Sequence, residues 1–241
     1  WLEIAKSAAL EGGNYLLQNQ GKELKVLMDS GRDIKLQLDT DTEKLIKESL
    51  SSQSSFSILG EETGLSNNLG EFYWVVDPLD GTSNFLRDIP ISCVSIALMQ
   101  DVTPILGVIY DFNHDDLYFG HQNSKAFLNQ NEITVSDYSK KNQSTLVTGI
   151  PAKTHYSDEE FKNMINDFQD WKKVRMIGSA AMAAIYVAAG KAETYKENGI
   201  FLWDIAAGAA IVEAAGGVAS ITNIQADYRV DAIFTNQHLA N

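Results

Sequence analysis

Tyr73-Trp74-Val75-Val76-Asp77-Pro78-Leu79-Asp80-Gly81-Thr82-Ser83-Asn84-Phe85 is the stretch that decides how the chain is read. Its first part, Phe72 to Val76, is apolar and rich in β-formers, and predicts a buried strand. The strand runs into two carboxylates three apart, Asp77 and Asp80. Pro78 stiffens the turn expected between them, and Gly81 allows close backbone approach. Thr82 and Ser83 read as a helix start with free N–H groups. Acids beside unpaired N–H groups make little sense as packing. They suit a place where hard cations and a phosphate meet.

On the N-terminal side, residues 2–20 carry apolar side chains at helical spacing, with Gly12-Gly13 predicting a soft centre at a cost of about 1 kcal/mol per glycine. Residues 21–38 contain Leu24–Met28, a turn at Asp29–Arg32 and an alternating piece, Asp33–Leu38. A second helix is expected from about Thr40 to Ser52, because Thr40-Asp-Thr-Glu43 matches a capping box. Phe56–Leu59 predicts a short strand ending at Gly60-Glu61-Glu62. On the C-terminal side, Ile91–Gln100, Pro104–Phe112 and Asp116–Gln122 read as an antiparallel meander, since their connections are too short for parallel pairing. A small hairpin is expected around Phe127–Val135.

From about residue 145 strands and helices alternate. Thr145–Gly149, Lys173–Ile177, Glu193–Lys196, Val218–Ile221 and Ala232–Thr235 read as extended. Asp158–Trp171, Ala180–Ala189 and Trp203–Ala215 read as helices, the last closed by Gly216-Gly217. Two halves are expected, 1–141 with the acidic motifs and 142–241 of α/β type, joined in one body and sharing one site.

The 241 residues carry 44% hydrophobic and 21% charged side chains, ordinary for a globular protein. No apolar run approaches membrane-spanning length and no signal-peptide pattern is read, so a cytoplasmic protein is expected. Because the chain opens on Trp1, a preceding segment is expected to have been trimmed. The single cysteine, Cys93, lies in an apolar strand pattern and reads as a buried core thiol. The net charge of −13 argues against nucleic-acid or anionic-membrane partners. It permits an anionic substrate only where bound divalent cations invert the local sign.

Five acids fall at predicted element ends: Asp39, Glu61, Asp77, Asp80 and Asp204. Taken singly, Asp39 and Asp204 could be N-caps and Glu61-Glu62 a solvated turn. Together they follow apolar strands or open apolar helices, where a naked carboxylate is costly. Mg²⁺ takes oxygen ligands, usually about one or two carboxylates with waters and substrate phosphate.

Gly60-Glu61-Glu62, Trp74–Phe85 and Trp203-Asp204-Ile-Ala-Ala-Gly208 resemble the signatures of the inositol monophosphatase family. Pro90–Ala97, Gly107–Tyr110, Gly178–Ala181 and Glu213–Gly217 extend the resemblance over nearly the whole chain. It implies a layered α/β/α/β/α sandwich, usually a homodimer. It implies a lithium-sensitive phosphomonoesterase holding two or three Mg²⁺ ions. Glu61, Asp77, Asp80, Asp204 and the Leu79 carbonyl would be the metal ligands, with Asp77 between two ions. Gly81 and Thr82 N–H groups would hold the phosphate. Asp39, Thr82 and Glu61 would form the catalytic set, the Thr82 hydroxyl paired with Asp39 to orient and deprotonate the attacking water.

Substrate choice is read from Glu197, seven residues before Asp204, where the resemblance places an acid facing ring hydroxyls, and from Ala180, a small residue that lets a ring approach. A carboxylate suits a neutral polyol and repels a second phosphate, which favours inositol monophosphate. The same chemistry on 3′-phosphoadenosine 5′-phosphate, histidinol phosphate or fructose 1,6-bisphosphate is the alternative. A regulatory binding protein that meets the transcription machinery is another. Two departures stand out. Lys35-Leu36 replace a customary Val-Thr pair, and Met28 stands where a lysine is customary. These put a third metal position in question and give Lys35 either a role at the site or an exposed place on a strand. Asp41 competes with Asp39 as the base, and Asp39 is preferred because Glu43 keeps the family spacing.

Overall fold

The computed structural model describes residues 1–30, 33–151 and 155–240. The predicted turn at 29–32 falls partly outside them. Helix α1 (Leu2–Asn19) is followed by a hairpin, β1 (Val26–Ser30) and β2 (Asp33–Leu36), and by α2 (Gln37–Ser51). Strands β3 (Ser57–Gly60), β4 (Gly64–Leu65) and β5 (Phe72–Asp80) lead into the single turn α3 (Thr82–Phe85). The meander β6 (Cys93–Gln100), β7 (Thr103–Asp111) and β8 (Asp116–His121) ends in the small hairpin β9 (Ala126–Leu128) and β10 (Asn131–Ile133). The second half runs β11 (Thr145–Thr148), α4 (Asp158–Asp170), β12 (Lys173–Met176), α5 (Ala180–Ala188), β13 (Thr194–Phe201), α6 (Leu202–Ala214), β14 (Val218–Thr222) and β15 (Arg229–Thr235).

Eight strands form one sheet in the order β10-β9-β8-β7-β6-β5-β3-β4, and five form another in the order β12-β11-β13-β15-β14. Helices α1 and α2 cover one face of the large sheet. Helices α5 and α6 fill the space between the sheets, and α4 lies outside the small one. The result is the expected α/β/α/β/α sandwich. Alternation along β5 shows how one strand serves two cores. Trp74 and Val76 pack with Val94, Ile96 and the α1–α2 side chains, whereas Tyr73 and Val75 pack with Cys93, Ala97 and the α5–α6 layer. Cys93 is fully buried, as expected. Helix α6 lies almost on the sheet backbone: a Cβ on Gly107 would come within 2.1 Å of the Ala207 carbonyl oxygen.

Helix α1 is the one helix expected, and its glycines are packing sites, since a Cβ on Gly13 would stand 2.4 Å from the Tyr110 ring. Three expectations need correction. Helix α2 starts at Gln37 rather than Thr40. Asp39 in its first turn accepts from Leu36 N at 2.9 Å, and the Thr40–Glu43 box is not formed. Strand β5 does not stop at Val76. It continues to Asp80 through a register shift between Asp77 and Asp80, a bulge where Pro78 needs no ladder hydrogen bond. Strand β13 continues to Phe201 rather than ending at Lys196, so Glu197 is a strand residue opposite Ala232.

Candidate active site

A cavity of about 280 Å³ opens where β5, α5, β13 and α6 meet. Glu61, Asp80, Gly81, Thr82, Ala180, Glu197 and Asp204 line it, drawn from both halves of the chain. Asp77 and Leu79 lie behind the cavity wall, both buried. Asp39 is also buried and outside the lining, but close enough that its charge raises the Glu61 pKa. Asp41, the competing candidate, is exposed and accepts from Gln37 at 3.0 Å.

Local structure explains each placement. The β5 bulge turns Asp77 and Asp80 to the same end of the sheet, and Leu79 N donates to Asp77 Oδ1 at 3.0 Å. Gly81 has φ +90°, and a Cβ there would meet the Ile91 carbonyl oxygen at 2.7 Å, so only glycine fits. Asn84 N and Phe85 N both close onto Gly81 O at 2.9 Å. Among the described residues the N–H groups of Gly81, Thr82 and Ser83 have no protein acceptor, as a phosphate cradle requires. The Thr82 hydroxyl donates to Leu79 O at 3.0 Å and not to Asp39. The expected Thr82–Asp39 pairing is therefore absent among the described residues, because both groups are engaged within their own turns.

Asp39 and Asp204 repeat one device. Each sits in the first turn of its helix and accepts from a backbone N–H three residues earlier, Leu36 at 2.9 Å and Phe201 at 3.2 Å. Asp80 is held differently. Ser179 Oγ donates to its Oδ2 at 2.5 Å and Ala181 N at 2.7 Å, so the start of α5 caps a carboxylate from the other half. Asn84 fastens the same junction, its amide donating to Ile91 O and Ile177 O at 2.8 Å each.

The acids are strained electrostatically. Burial pushes the Glu61 carboxyl up to about 8, with Glu62 adding to it. Asp77 is raised by burial and then by the Glu61, Asp80 and Asp204 charges, and it shares a hydrogen bond with Glu61. Burial also raises Asp204, with Glu61 and Asp80 contributing. Asp80 rises only to about 6, because Ser179 and the α5 N–H groups counteract burial. Glu197 rises to about 8 through burial and the Asp80 charge, and no donor offsets it. Among the described residues no three of these side chains stand in ready ligating array. The donor set nonetheless fits hard divalent cations: buried carboxylates that repel one another are relieved by positive charge.

Three contributors went unread in the sequence. Ser179 carried an N-cap signal, standing before a small-residue helix. Glu43 is fully buried and accepts from Glu62 N at 2.7 Å and Thr63 N at 3.1 Å, so it shapes the turn bearing Glu61. Its partner Lys47, four residues on and 3.0 Å away, was the available hint. Asn84 gave no signal beyond membership of the motif. Lys35 is not exposed on a bare strand. Its Nζ contacts both Glu62 oxygens at 3.1 Å, and its charge opposes the rise at Glu61.

Comparison with known proteins places this sandwich in a class. The profile of the Inositol monophosphatase family matches residues 1–237, and the chain belongs to that family. It is 38% identical over 220 residues to the Nus factor SuhB of Xylella fastidiosa, covering 90% of this chain and 80% of the relative. It is 36% identical over 231 residues to an inositol-1-monophosphatase of Synechocystis, covering 91% and 78%. Among solved structures, the extragenic suppressor protein SuhB of Bartonella henselae superposes with a TM-score of 0.87 at 31% identity, covering 98% of this chain and 93% of that one. The inositol monophosphatase of Anabaena gives 0.85 at 33% identity, with 98% and 90% covered. Among the described residues no helix is long and apolar enough to cross a membrane.

Proposed function

We propose that this protein hydrolyses a small phosphate monoester, inositol monophosphate foremost, with Mg²⁺ as cofactor. The observation that carries this reading is the gathering of Glu61, Asp80, Asp204, Gly81, Thr82 and Glu197 round one cavity. Glu61, Asp77, Asp80, Asp204 and the Leu79 carbonyl would hold the cations. Bound there, the cations would neutralise the phosphate and acidify a water. The Gly81 and Thr82 N–H groups would orient the phosphate for in-line attack. Asp39 and Glu61 would take up the proton of the attacking water, which the Thr82 hydroxyl would orient. The water oxygen ends on phosphorus, the P–O bond to the alcohol breaks, and the alcohol leaves with a proton.

Glu197 sets the alcohol. A buried carboxyl without a partner welcomes hydroxyl donors and opposes a second phosphate, which favours inositol monophosphate over fructose 1,6-bisphosphate or 3′-phosphoadenosine 5′-phosphate. A purely regulatory binding role is suggested by the name of the Xylella relative. It is the weaker reading, because docking does not require carboxylates held above their ordinary range in a cavity. The deciding experiment is phosphate release from a substrate panel with Mg²⁺, with and without Li⁺. Release from inositol 1-phosphate that Li⁺ suppresses is expected, and no release from any ester sinks the reading. A homodimer is expected in light scattering.

A further inference from the structure

The β4–β5 connection, the β6–β7 turn and the β14–β15 connection frame a separate cavity of about 550 Å³. It shares no wall residue with the candidate active site. Its volume suits a molecule of cofactor size. Leu69, Val102 and Ile224, one from each connection, line it while remaining exposed, Val102 to 66%. Apolar side chains exposed singly mean little. Three that line one cavity make a surface suited to an apolar body.

The polar groups of the wall say what that body carries. Tyr73, only 6% exposed, lines the cavity, and its hydroxyl has no hydrogen-bond partner among the described residues. A desolvated hydroxyl without a partner is costly, and a ligand that reaches it relieves the cost. The Asp101 carboxylate is in the same wall, without a hydrogen bond or ion pair among the described residues. Burial raises the Tyr73 pKa, and the Tyr228 and Asp101 charges add to the rise, so carboxylate and hydroxyl stand within electrostatic reach of each other. Glu71 supplies a second carboxylate. Asp101 N donates to Glu71 O at 2.7 Å and Gln100 Nε2 to Glu71 Oε1 at 2.8 Å, which fastens the two acid-bearing segments side by side. No basic side chain lines the cavity among the described residues. An anionic head is therefore repelled there and a cationic one attracted.

We propose that this cavity binds an organic ammonium ion with an apolar body. The body rests on Leu69, Val102 and Ile224. The ammonium group meets the Asp101 and Glu71 carboxylates and donates to the Tyr73 hydroxyl oxygen. The ligand carries no phosphate, and its binding is independent of the hydrolytic reading above.

The probes are 4-phenylbutylamine, 4-phenylbutanol and 4-phenylbutanoate, which share one body and differ in the charge of the head. NMR titration of the protein in the presence of Mg²⁺ should rank them amine, alcohol, carboxylate. The amine is expected to bind about fivefold or more tightly than the alcohol, as two exposed carboxylates allow. Added salt should narrow that gap. Asp101→Asn removes one charge and keeps a residue type that tolerates the φ of +50° at this turn. It should cut the advantage of the amine to about twofold. Tyr73→Phe should weaken the amine about fivefold, the worth of one hydrogen bond. It should leave the melting temperature unchanged or higher, because the hydroxyl has no partner to lose. Equal affinity for the three probes, or a carboxylate that binds tightest, overturns the inference. Amine binding that neither substitution changes also overturns it, because the amine then sits elsewhere.

Discussion

Two acids that line the cavity, Asp80 and Glu197, live in opposite surroundings. Asp80 closes a bulged strand and accepts from Ser179 Oγ and Ala181 N, with further α5 amides holding its pKa near 6 against complete burial. Glu197 lies mid-strand in β13, equally buried, with no donor and a pKa pushed up to about 8. One carboxylate is fixed before any substrate arrives, and the other waits for one. Pre-organised charge suits the part of a site that must not vary, the reacting phosphate. An uncommitted carboxyl suits the part that distinguishes one alcohol from another.

The comparison breaks most severely at Asp80. Asp80→Asn is expected to abolish phosphate release from inositol 1-phosphate with Mg²⁺, and full activity would sink the site assignment. Ser179→Ala leaves the ligand in place and removes its support. A loss of about 10- to 100-fold in activity or Mg²⁺ affinity is expected, read by metal titration as well as turnover. Glu197→Ala should raise KM for inositol phosphates by about 10- to 100-fold, the cost of one hydrogen bond to a charged group. It should change an aromatic phosphate ester far less, and equal effects on both would refute its contact with the alcohol.

The smallest expected effect is on stability. The Glu197 carboxyl ionises near 4.5 when unfolded and about 8 when folded. Between those values the folded chain holds a proton that the unfolded chain has lost, so stability falls as pH rises through the window. Thermal melting of the metal-free protein from pH 5 to 8 should show the decline, shallower in Glu197→Gln. An identical slope in the two proteins would mean that Glu197 titrates normally.

The contrast also explains what the sequence made legible. The turn 77–85 could be read because local chemistry builds it: a proline at a bulge, a glycine at positive φ, a one-turn helix. The meander β6–β8 followed from alternation and short connections. Glu43, Ser179 and the length of β13 were not legible, because their roles arise from packing between distant segments. Glu43 matched a capping box in sequence, yet the hairpin before α2 moved the helix start and left Glu43 to organise the Glu61 turn. The extended reading stops at Lys196, short of Glu197, because Asn198-Gly199 follows. The ladder to β15 carries it through that irregularity as a strand. Tertiary pairing overrode local propensity in each case.

The joints between Asp80 and Ser179, and between Asn84 and Ile177, link residues 99 and 93 positions apart. Contacts of such separation carry the entropy of closing a long loop and form late in folding. The large sheet can therefore assemble from the first half of the chain while the catalytic pocket still lacks a wall. Capacity for turnover should be among the last properties the nascent protein acquires, lagging behind the burial of Trp74 in its own core.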